Sequence, residues 1–332
     1  MARWHVKGML DMRRSTTIVG FVEPSDASRE ATKALFDEQA VPCPPFYNSI
    51  KELIKAQGPP DAALICTPHK FHFENARDCM QSGVDVCLEK PMVMNVSEAR
   101  RLIRLRDKTG RLVVVAFPGS LSPAVRKAKQ LLARGTIGEV TAIMAVAYQN
   151  WKLGCRGTWR QVPEISGGGF LFDTGSHMVN TVVDLLGEDV VEVTALLDNR
   201  GAPVEINAAV SGRSMSGVMF SMGGSGDSIQ CNSEILVCGS RGVLQTGIWG
   251  ERLLIKKADQ SEFRPVPYPK SRGPWEQFLA VRRGRMENPC PPEVGLRFAK
   301  LMEMIRQSAQ TGRTIKRARH GKPSTGKRST TK

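Results

Sequence analysis

The sequence has no hydrophobic run long enough to cross a membrane. Its longest apolar runs, such as residues 112–117 and 143–148, are far shorter than the roughly 18 residues that a membrane-spanning helix needs. The basic start of the chain is not followed by the apolar stretch of a secretory signal peptide either. We therefore expect a soluble, cytoplasmic protein that does not bind membranes.

Motifs of several common enzyme and metal-binding classes are also missing. The eight cysteines show no Cys-x2-Cys spacing, which is typical of zinc sites, so we expect reduced thiols and no bound metal. There is no Gly-x-Ser-x-Gly nucleophile turn and no Gly-x4-Gly-Lys-Ser/Thr phosphate loop. Acyl-transfer and ATP-dependent chemistry of these kinds therefore lack support.

Positive charge is concentrated at the carboxyl end of the chain. The net charge is +15, and residues 313–332 contribute eight Lys or Arg and no acidic residue. This tail also has almost no apolar side chains, which predicts a solvated, disordered segment. Nucleic-acid binding through the tail is a less favoured alternative, and such binding would be nonspecific and lost at high salt.

The length of 332 residues, with 41% apolar and 24% charged residues, is typical of two globular domains. In the first third, short apolar runs alternate with segments that carry helix signals, a pattern that predicts parallel strands covered by helices. Ser49 with Glu52 and Asn95 with Glu98 have the spacing of N-terminal capping boxes. The predicted strands are residues 16–22, 62–66, 84–88 and 112–117.

Beyond residue 136 the pattern changes to long alternating stretches, which predict a large, mostly antiparallel sheet. A helix at 170–186 interrupts these strands, and helices near 275–283 and 293–310 follow them. The predicted fold class is α/β: a Rossmann-type parallel-sheet domain, residues 1–120, precedes an α+β domain, residues 121–312. The predicted strands of the second domain include residues 139–147, 190–197, 208–214 and 217–222.

Polar residues cluster where two predicted parallel strands end. Thr67 and His72 follow one of these strands, and Glu89 and Lys90 follow the next. Ligands of an open parallel sheet bind outside these carboxyl ends, so the side chains are candidates to face a cofactor. A buried lysine there could have a lowered pKa and act as an acid or a base, although a surface Lys-Pro turn is a common alternative.

A second group of polar residues follows a run of three glycines. Asp173 and His177 are four residues apart, and Asn180 comes three residues later, so a continuous helix would place all three on one face. A carboxylate can then orient the imidazole, which can exchange a proton with a substrate hydroxyl. A helix-initiating aspartate and a structural histidine explain the same residues equally well. A zinc site that also uses His69 and His72 is less favoured.

Together these segments resemble the glucose-fructose oxidoreductase, inositol dehydrogenase and MocA family of oxidoreductases. The resemblance extends over most of the chain and depends on five motifs in the same order. They are Thr67-Pro68-x3-His72, Glu89-Lys90-Pro91, Trp159-Arg160 with Gly167-Gly168-Gly169-x3-Asp173-x3-His177, Gly239-Ser-Arg-Gly242, and Ser308-Ala-x-Thr-Gly312-Arg. The resemblance implies a Rossmann domain that binds NAD or NADP, and a second domain that covers the nicotinamide and often joins subunits into a dimer or tetramer.

Residue roles follow from this resemblance position by position. It implies that Lys90 contacts substrate and nicotinamide, and that Asp173 and His177 position the alcohol and move its proton, so these three are the expected catalytic residues. The expected substrate residues are Lys90, Trp159, Arg160, Asp173, His177 and Asn180. The expected cofactor-binding residues are Glu23, Thr67, Pro68, His72, Glu89 and Lys90.

Glu23 bears on the choice between NAD and NADP. It follows the predicted strand at 16–22 and suits the acidic residue that binds the adenosine ribose hydroxyls, which favours NAD. Arg29 or Lys33 could still meet the 2′-phosphate of NADP. An acidic residue at this place is also often only a turn residue or a helix cap.

The chain departs from the family pattern in three places. The family opens with a strand and a Gly-x-Gly-x2-Gly loop that holds the pyrophosphate, whereas residues 1–10 already look like the helix after this loop. Loss of that central strand would leave two flanking strands without partners, so we expect the native chain to start upstream of Met1. Ser120 stands where many relatives have arginine, and Asn180 stands where a carboxylate is frequent, which leaves the substrate open.

These observations predict an NAD-dependent oxidoreductase. It would transfer a hydride between the nicotinamide cofactor and a secondary hydroxyl, or the matching ketone, of a sugar, cyclitol or related polyol. The alternative is a catalytically silent relative that binds a nucleotide or a partner and serves regulation or assembly.

Overall fold

The computed structural model describes residues 1–317, and residues 318–332 lie outside the described part. Most of the predicted basic tail is therefore not described, but Ile315–Lys316 form a short strand that pairs with the sheet of the second domain. The expectation of a disordered tail from residue 313 is wrong for residues 313–317. No helix of the described part is both long and apolar enough to span a membrane.

The first part of the chain alternates helices with short strands. Its elements are α1 (Ala2–Leu10), β1 (Phe21–Val22), α2 (Asp26–Glu38), β2 (Phe46–Tyr47), α3 (Ile50–Gln57), β3 (Ala62–Ile65), α4 (His72–Gln81), β4 (Asp85–Leu88), α5 (Val96–Thr109) and β5 (Val113–Val115).

The second part is richer in strands. Its elements are α6 (Pro118–Leu121), α7 (Pro123–Ala133), β6 (Val140–Tyr148), α8 (Trp151–Gly154), α9 (Pro163–Ser166), α10 (Ser176–Leu186), β7 (Val190–Asp198), β8 (Asn207–Ser214), β9 (Met219–Ser225), β10 (Asn232–Gly239), β11 (Gly242–Thr246), β12 (Leu253–Lys257), β13 (Arg264–Pro265), α11 (Pro274–Arg282), α12 (Pro292–Thr311) and β14 (Ile315–Lys316). Two 3-10 turns, His69–Phe71 and Trp159–Gln161, lie in the loops before α4 and α9.

Capping residues set the starts of the helices as the sequence predicts. The Ser49 hydroxyl accepts the Glu52 amide at 3.2 Å at the start of α3. The Asn95 side chain likewise accepts the Glu98 amide at 2.9 Å at the start of α5. These bonds satisfy amide groups that have no partner inside the helix, so both predicted N-caps are confirmed. The Glu52 and Glu98 carboxylates accept the amides of Asn48 and Met94, the residues before the caps, so the return bond of the predicted capping boxes is displaced by one residue.

Parallel strands form two separate sheets in the first part of the molecule. β1 pairs with β2, and β3, β4 and β5 form a second sheet in that order. No strand within residues 1–317 joins β1 to β3, where the family pattern has its central strand. Because a strand needs a neighbour to satisfy its backbone groups, the predicted strand at 16–22 shrinks to Phe21–Val22. Val6, Leu10 and Phe36 form a small core between α1 and α2.

The second part is built on a nine-stranded sheet with the order β13-β12-β11-β10-β6-β9-β8-β7-β14. All of its pairs are antiparallel except β6 with β9, so the predicted, mostly antiparallel sheet is confirmed. One hydrophobic core extends through both parts of the molecule, and α12 contributes Phe298, Met302 and Ile305 to it. This shared core fixes the carboxyl ends of β3 and β4 relative to α10.

The predicted helix at 170–186 begins later than expected. The structure has turns at residues 170–175, and α10 starts only at Ser176. The amide of Phe170 donates to the carbonyl of Glu205 at 2.8 Å, and a side chain at Gly169 would collide with the same carbonyl. This close approach of two backbones holds the segment in turns, so Asp173 precedes the helix that carries His177.

Candidate active site

The carboxylate of Asp173 is the centre of a buried cluster. Lys90 Nζ donates to Asp173 Oδ1 and to its backbone carbonyl, each at 2.9 Å. Trp151 Nε1 and Arg160 Nε both donate to Asp173 Oδ2, at 2.9 and 3.0 Å. Burial alone would raise the pKa of Asp173, but the positive charges of Lys90 and Arg160 outweigh it and hold that pKa well below the ordinary value. Asp173 is therefore a carboxylate that fixes the position of the Lys90 ammonium group.

His69 lies beside this carboxylate. Its Nδ1 donates to the carbonyl of Ser166 at 2.7 Å, and its Nε2 lies 3.8 Å from Asp173 Oδ1. Burial lowers the pKa of His69 to about 3, so the ring is neutral at pH 7. The rings of Trp159 and His69 pack nearly perpendicular to each other, with 4.8 Å between ring centroids, and the Arg160 guanidinium lies over the Trp159 ring at 4.5 Å. Trp159 and Arg160, which were predicted as substrate residues, thus lie in the cluster around Asp173, whereas His69 was considered only as a metal ligand.

His177 lies at the start of α10 and is buried. Burial, with the nearby charge of Lys90, lowers the pKa of His177 well below the ordinary value, so its ring is neutral. Its Nδ1 has no hydrogen-bond partner within residues 1–317. No hydrogen bond of the described part joins Asp173 to His177, so the predicted orientation of this imidazole by Asp173 is wrong. The reason is the late start of α10, which removes the four-residue helical spacing.

Ser120 and Asn180, the two substrate-side positions at which the chain departs from the family pattern, are in contact in the structure. Asn180 Nδ2 donates to Ser120 Oγ at 2.9 Å, and both side chains are buried. Asn180 Oδ1 has no partner within the described residues. Ser120 and Asn180 thus form a neutral, buried pair in mutual contact. Sequence reasoning identified each residue but could not show that they touch.

His72 and Pro68, two other predicted cofactor residues, belong to the region where the loops that follow β3 and β4 meet. The ring nitrogens of His72, a fully buried residue, lie 2.8 Å from the carbonyl of Pro91 and 2.9 Å from that of Thr67. Pro68 precedes the 3-10 turn at His69–Phe71. His72 therefore ties the loop after β3 to the loop after β4.

Glu89 is bound by a residue that the sequence analysis did not identify. His5 Nε2 of α1 lies 2.6 Å from Glu89 Oε1, and the Lys90 amide donates to Glu89 Oε2 at 3.0 Å. Burial opposes the charge, but the bond to His5 and the bond from the amide hold the pKa of Glu89 below its ordinary value. Because 84 residues separate His5 from Glu89, no local sequence signal predicts this contact.

One group of three metal-ligating side chains occurs in the described part: the ligand atoms of His5, Cys66 and Glu89 lie within 4.8 Å of one another. The hydrogen bond between His5 and Glu89 already accounts for two of them. Burial, followed by the charge of Glu89, raises the pKa of the Cys66 thiol, which disfavours the thiolate that a metal needs. We therefore interpret the group as a buried hydrogen-bonded pair beside a neutral thiol.

The nicotinamide half of a dinucleotide fits the residues present. Lys90 Nζ and Thr67 Oγ1 offer polar atoms near the carboxyl ends of β3 and β4, which is where such sheets bind their ligands. For the pyrophosphate half, the sequence has no glycine-rich loop between a strand and α1. We assign no residue of the described part to the pyrophosphate.

The comparisons with known proteins agree with this geometry. Residues 1–117 match the model of the oxidoreductase family with an NAD-binding Rossmann fold, and residues 125–245 match the GFO/IDH/MocA C-terminal domain. The chain is similar to an oxidoreductase of Formosa agariphila, with 26% identity over 252 residues, 74% of this chain and 78% of the relative.

Two further proteins have more specific names. D-glucoside 3-dehydrogenase of Escherichia coli is 27% identical over 133 residues, which are 40% of this chain but only 38% of the relative. The WlbA dehydrogenase of Bordetella pertussis, solved with NADH and UDP-GlcNAcA, has a TM-score of 0.78 and 22% identity, and the match covers 96% of this chain and 94% of that one. The two family models together match well over half of the sequence. The chain therefore belongs to the GFO/IDH/MocA family of oxidoreductases, with its NAD-binding Rossmann fold.

Proposed function

We propose that the protein is an NAD-dependent oxidoreductase that acts on a secondary hydroxyl group, or the matching ketone, of a sugar, cyclitol or related polyol. The main support for the proposal is the ammonium group of Lys90, which the buried carboxylate of Asp173 holds in place. His177, which is neutral and buried, is close enough for the Lys90 charge to lower its pKa. The names of D-glucoside 3-dehydrogenase and of WlbA, which was solved with a sugar nucleotide, support a carbohydrate-like substrate.

The chemistry follows from the charge state of each group. Lys90 donates a hydrogen bond to the alcohol oxygen, which stabilises negative charge that develops there. Neutral His177 accepts the hydroxyl proton, and Asp173 keeps Lys90 in position. A bound nicotinamide supplies the acceptor for the hydride that leaves the carbinol carbon. Trp159, with Arg160 over its ring, forms a wall of the site on the side of Asp173.

Turnover tests this proposal against its rival, a catalytically silent relative. The purified chain is mixed with NAD and a panel of cyclitols, sugars and sugar acids, and the absorbance of reduced nicotinamide is followed at about 340 nm. We expect saturable reduction of NAD with at least one member of the panel. Tight NADH binding without turnover on any member of the panel would favour the catalytically silent relative. That alternative is considered because the sequence lacks the phosphate loop.

Glu23 supports a preference for NAD over NADP. Its carboxylate accepts the Ser25 amide at 2.9 Å, so it also serves as the turn residue that the sequence left open. Arg29 donates to the Glu23 carbonyl and to Asn48, and is thus already engaged. Lys33 Nζ donates to Glu30 at 2.7 Å. Both cations are thus paired within the protein, and the Glu23 carboxylate would repel a 2′-phosphate.

We expect NADPH to bind about tenfold more weakly than NADH, a difference of about 1.4 kcal/mol. Energy transfer from the five tryptophans to the reduced nicotinamide measures both dissociation constants. The substitution Glu23→Ser should reduce the ratio of the NADPH and NADH dissociation constants. Glu38→Ser, at the far end of α2, should leave this ratio unchanged. Equal affinities of the unsubstituted protein for the two cofactors would contradict the assignment.

The open face of the nine-stranded sheet supports assembly into a homo-oligomer, a dimer or tetramer. Outward side chains alternate with buried ones along the strands. The outward set includes apolar residues on β6, β9 and β7, exposed by 43% at Met144 and Val146, 54% at Met219 and 72% at Leu196. A flat apolar face of this kind is unusual on a monomer. A second copy of the same face would cover it by a two-fold contact.

Replacement of Leu196 by glutamate should dissociate this assembly, because each copy would place an unpaired charge in an apolar contact. Light scattering coupled to size exclusion measures the particle mass. Ile229→Glu, at an exposed loop position between β9 and β10, is the control and should keep the mass of the unsubstituted protein. An unchanged mass in Leu196→Glu would remove this face from the proposed interface.

A further inference from the structure

The buried polar atoms that lack partners are not scattered through the molecule. Within residues 1–317 they are four side-chain atoms: His177 Nδ1, Asn180 Oδ1, Asp184 Oδ2 and Arg297 Nε. The first three belong to α10 at positions i, i+3 and i+7, so they lie on one face and span about 10 Å along the helix. Arg297 Nη2 lies 3.8 Å from Asp184 Oδ1. We call His177, Asn180 and Asp184 the polar face of α10.

The remaining residues of α10 are mostly apolar and packed into the core, and its two other polar residues, Ser176 and Thr181, both have hydrogen-bond partners, which makes this polar face unusual. Met178, Val179, Val182 and Val183 are each at most 1% exposed. A helix that only packed between the two parts of the molecule would be expected to bury apolar residues on all sides. An unpaired buried polar atom costs about 1–3 kcal/mol. Several such atoms in a row therefore point to a function or to internal waters.

The polar face leads from the proposed reaction centre to the surface. His177 is at its inner end, and Ser120 contacts its middle through the bond from Asn180. At the outer end, Lys129 Nζ donates to Asp184 Oδ1 at 2.5 Å. The Lys129 side chain is 38% exposed, whereas that of Asp184 is 0% exposed. Lys129 therefore marks the point at which the buried polar face meets solvent.

Internal waters would satisfy these atoms. Buried waters typically make two to four hydrogen bonds to polar groups that have no protein partner. His177, Asn180 and Asp184 follow one another at intervals of about one helical turn, a rise of about 5 Å along the helix axis, which is close to the distance that one bridging water spans between two polar atoms. Hydroxyl and carboxylate groups beside such waters can accept and donate protons.

We propose that the polar face of α10 holds a chain of internal waters that carries the substrate proton from His177, past Asn180 and Ser120, to Asp184 and the surface at Lys129. The direction of proton flow depends on the function proposed above. In alcohol oxidation the carbinol carbon loses a hydride to the nicotinamide, and the hydroxyl proton goes to His177. The imidazolium then passes this proton to the first water, and the bulk solvent receives one proton at the outer end.

The environment of His177 explains why such an exit is needed. Burial holds the pKa of His177 well below its ordinary value, so the ring cannot retain a proton between turnovers at neutral pH. The groups that face it, Lys90 and Asp173, are paired with each other at 2.9 Å, and the second Asp173 oxygen accepts from Trp151 and Arg160, so neither offers a free site for the proton. Asp184 is also paired, with Lys129, but its Oδ2 has no partner within residues 1–317. Along the polar face, Asp184 is the one carboxylate of the described part that could attract it.

The test compares Asp184→Asn with a control variant. Asparagine keeps the shape of the side chain but removes the charge that attracts the proton. We expect kcat to fall on the order of tenfold with KM unchanged, the solvent deuterium isotope effect on kcat to rise, and added imidazole buffer to restore part of the rate. Asp189→Asn removes a carboxylate bound to Lys300 near the surface and should change none of these quantities. Unchanged kcat and isotope effect in Asp184→Asn would overturn the proposal.

A second readout does not depend on turnover. A high-resolution crystal structure of the unsubstituted protein should show ordered waters within hydrogen-bond distance of His177 Nδ1, Asn180 Oδ1 and Asp184 Oδ2. A polar face without waters would overturn the proposal even if the protein is an active dehydrogenase. If the protein shows waters but no turnover on any polyol, the function proposed above fails and the proton path fails with it. If Asp184→Asn does not fold, the crystal structure alone decides.

Discussion

Replacement of Lys90 by methionine is expected to lower kcat about 10²- to 10⁴-fold, the range over which a positioned acid or base contributes to catalysis. Methionine retains the apolar stem of the side chain but removes the ammonium group that Asp173 holds at 2.9 Å. His177→Leu removes the proton acceptor and should cause a loss of similar size. Initial rates with NAD and the substrate found by screening measure both losses.

The matched control for Lys90 is a lysine in a comparable pair outside the site. Lys152 Nζ lies 3.3 Å from Asp227 at a half-exposed position, so Lys152→Met removes the same group without touching the cluster. We expect this variant to retain its kcat, and all three variants to keep the far-ultraviolet circular dichroism of the folded protein. Near-normal turnover in both Lys90→Met and His177→Leu would refute the assigned chemistry.

Replacement of Asp173 by asparagine is expected to cause the largest loss of stability, about 3–5 kcal/mol in the free energy of unfolding. The Asp173 side chain is 6% exposed and that of Lys90 is 10% exposed, so the substitution would leave the Lys90 and Arg160 charges close together without a counter-charge. Urea unfolding at pH 7 measures the loss. Asp227→Asn breaks the half-exposed pair with Lys152 and should cost less than about 1 kcal/mol.

The Asp173 carboxylate also makes the free energy of unfolding depend on pH. The folded-state pKa of Asp173 is lowered, so its contribution to stability is fully present above the unfolded-state pKa. That contribution is lost as pH falls from about 4 towards the folded-state pKa. We expect unfolding curves of the unsubstituted protein to converge with those of Asp173→Asn below pH 4. Equal stability of the two proteins at pH 7 would contradict the buried ion pair.

Local signals in the sequence predicted local structure well. The Ser49 and Asn95 caps were identified because a cap and its partner lie three residues apart. Strands β3, β4 and β5 were identified from short apolar runs, with ends that differ by one or two residues. The residues around the cluster were identified largely by resemblance, since Lys90, Asp173 and Arg160 come together only through the fold.

The incorrect predictions have long-range causes. Spacing alone placed Asp173 and His177 on one helix, but the contact between Phe170 and Glu205 keeps the preceding segment in turns. Trp151 donates to Asp173 from 22 residues away in sequence, and nothing in the pattern around it signals a polar contact. Residues 313–317 were expected to be disordered on composition, although Ile315 finds a partner in Val193 of β7.

Transfer of deuterium tests the central claim most directly. The protein is incubated with NAD and a polyol from the screen that carries deuterium on its carbinol carbons, and the reduced cofactor is analysed by mass spectrometry. The account predicts that one deuterium appears on the nicotinamide ring, and that Lys90→Met reduces its rate of appearance in parallel with kcat. Formation of reduced cofactor without deuterium would contradict hydride transfer at this site. So would the absence of any reduced cofactor in a protein that binds NADH.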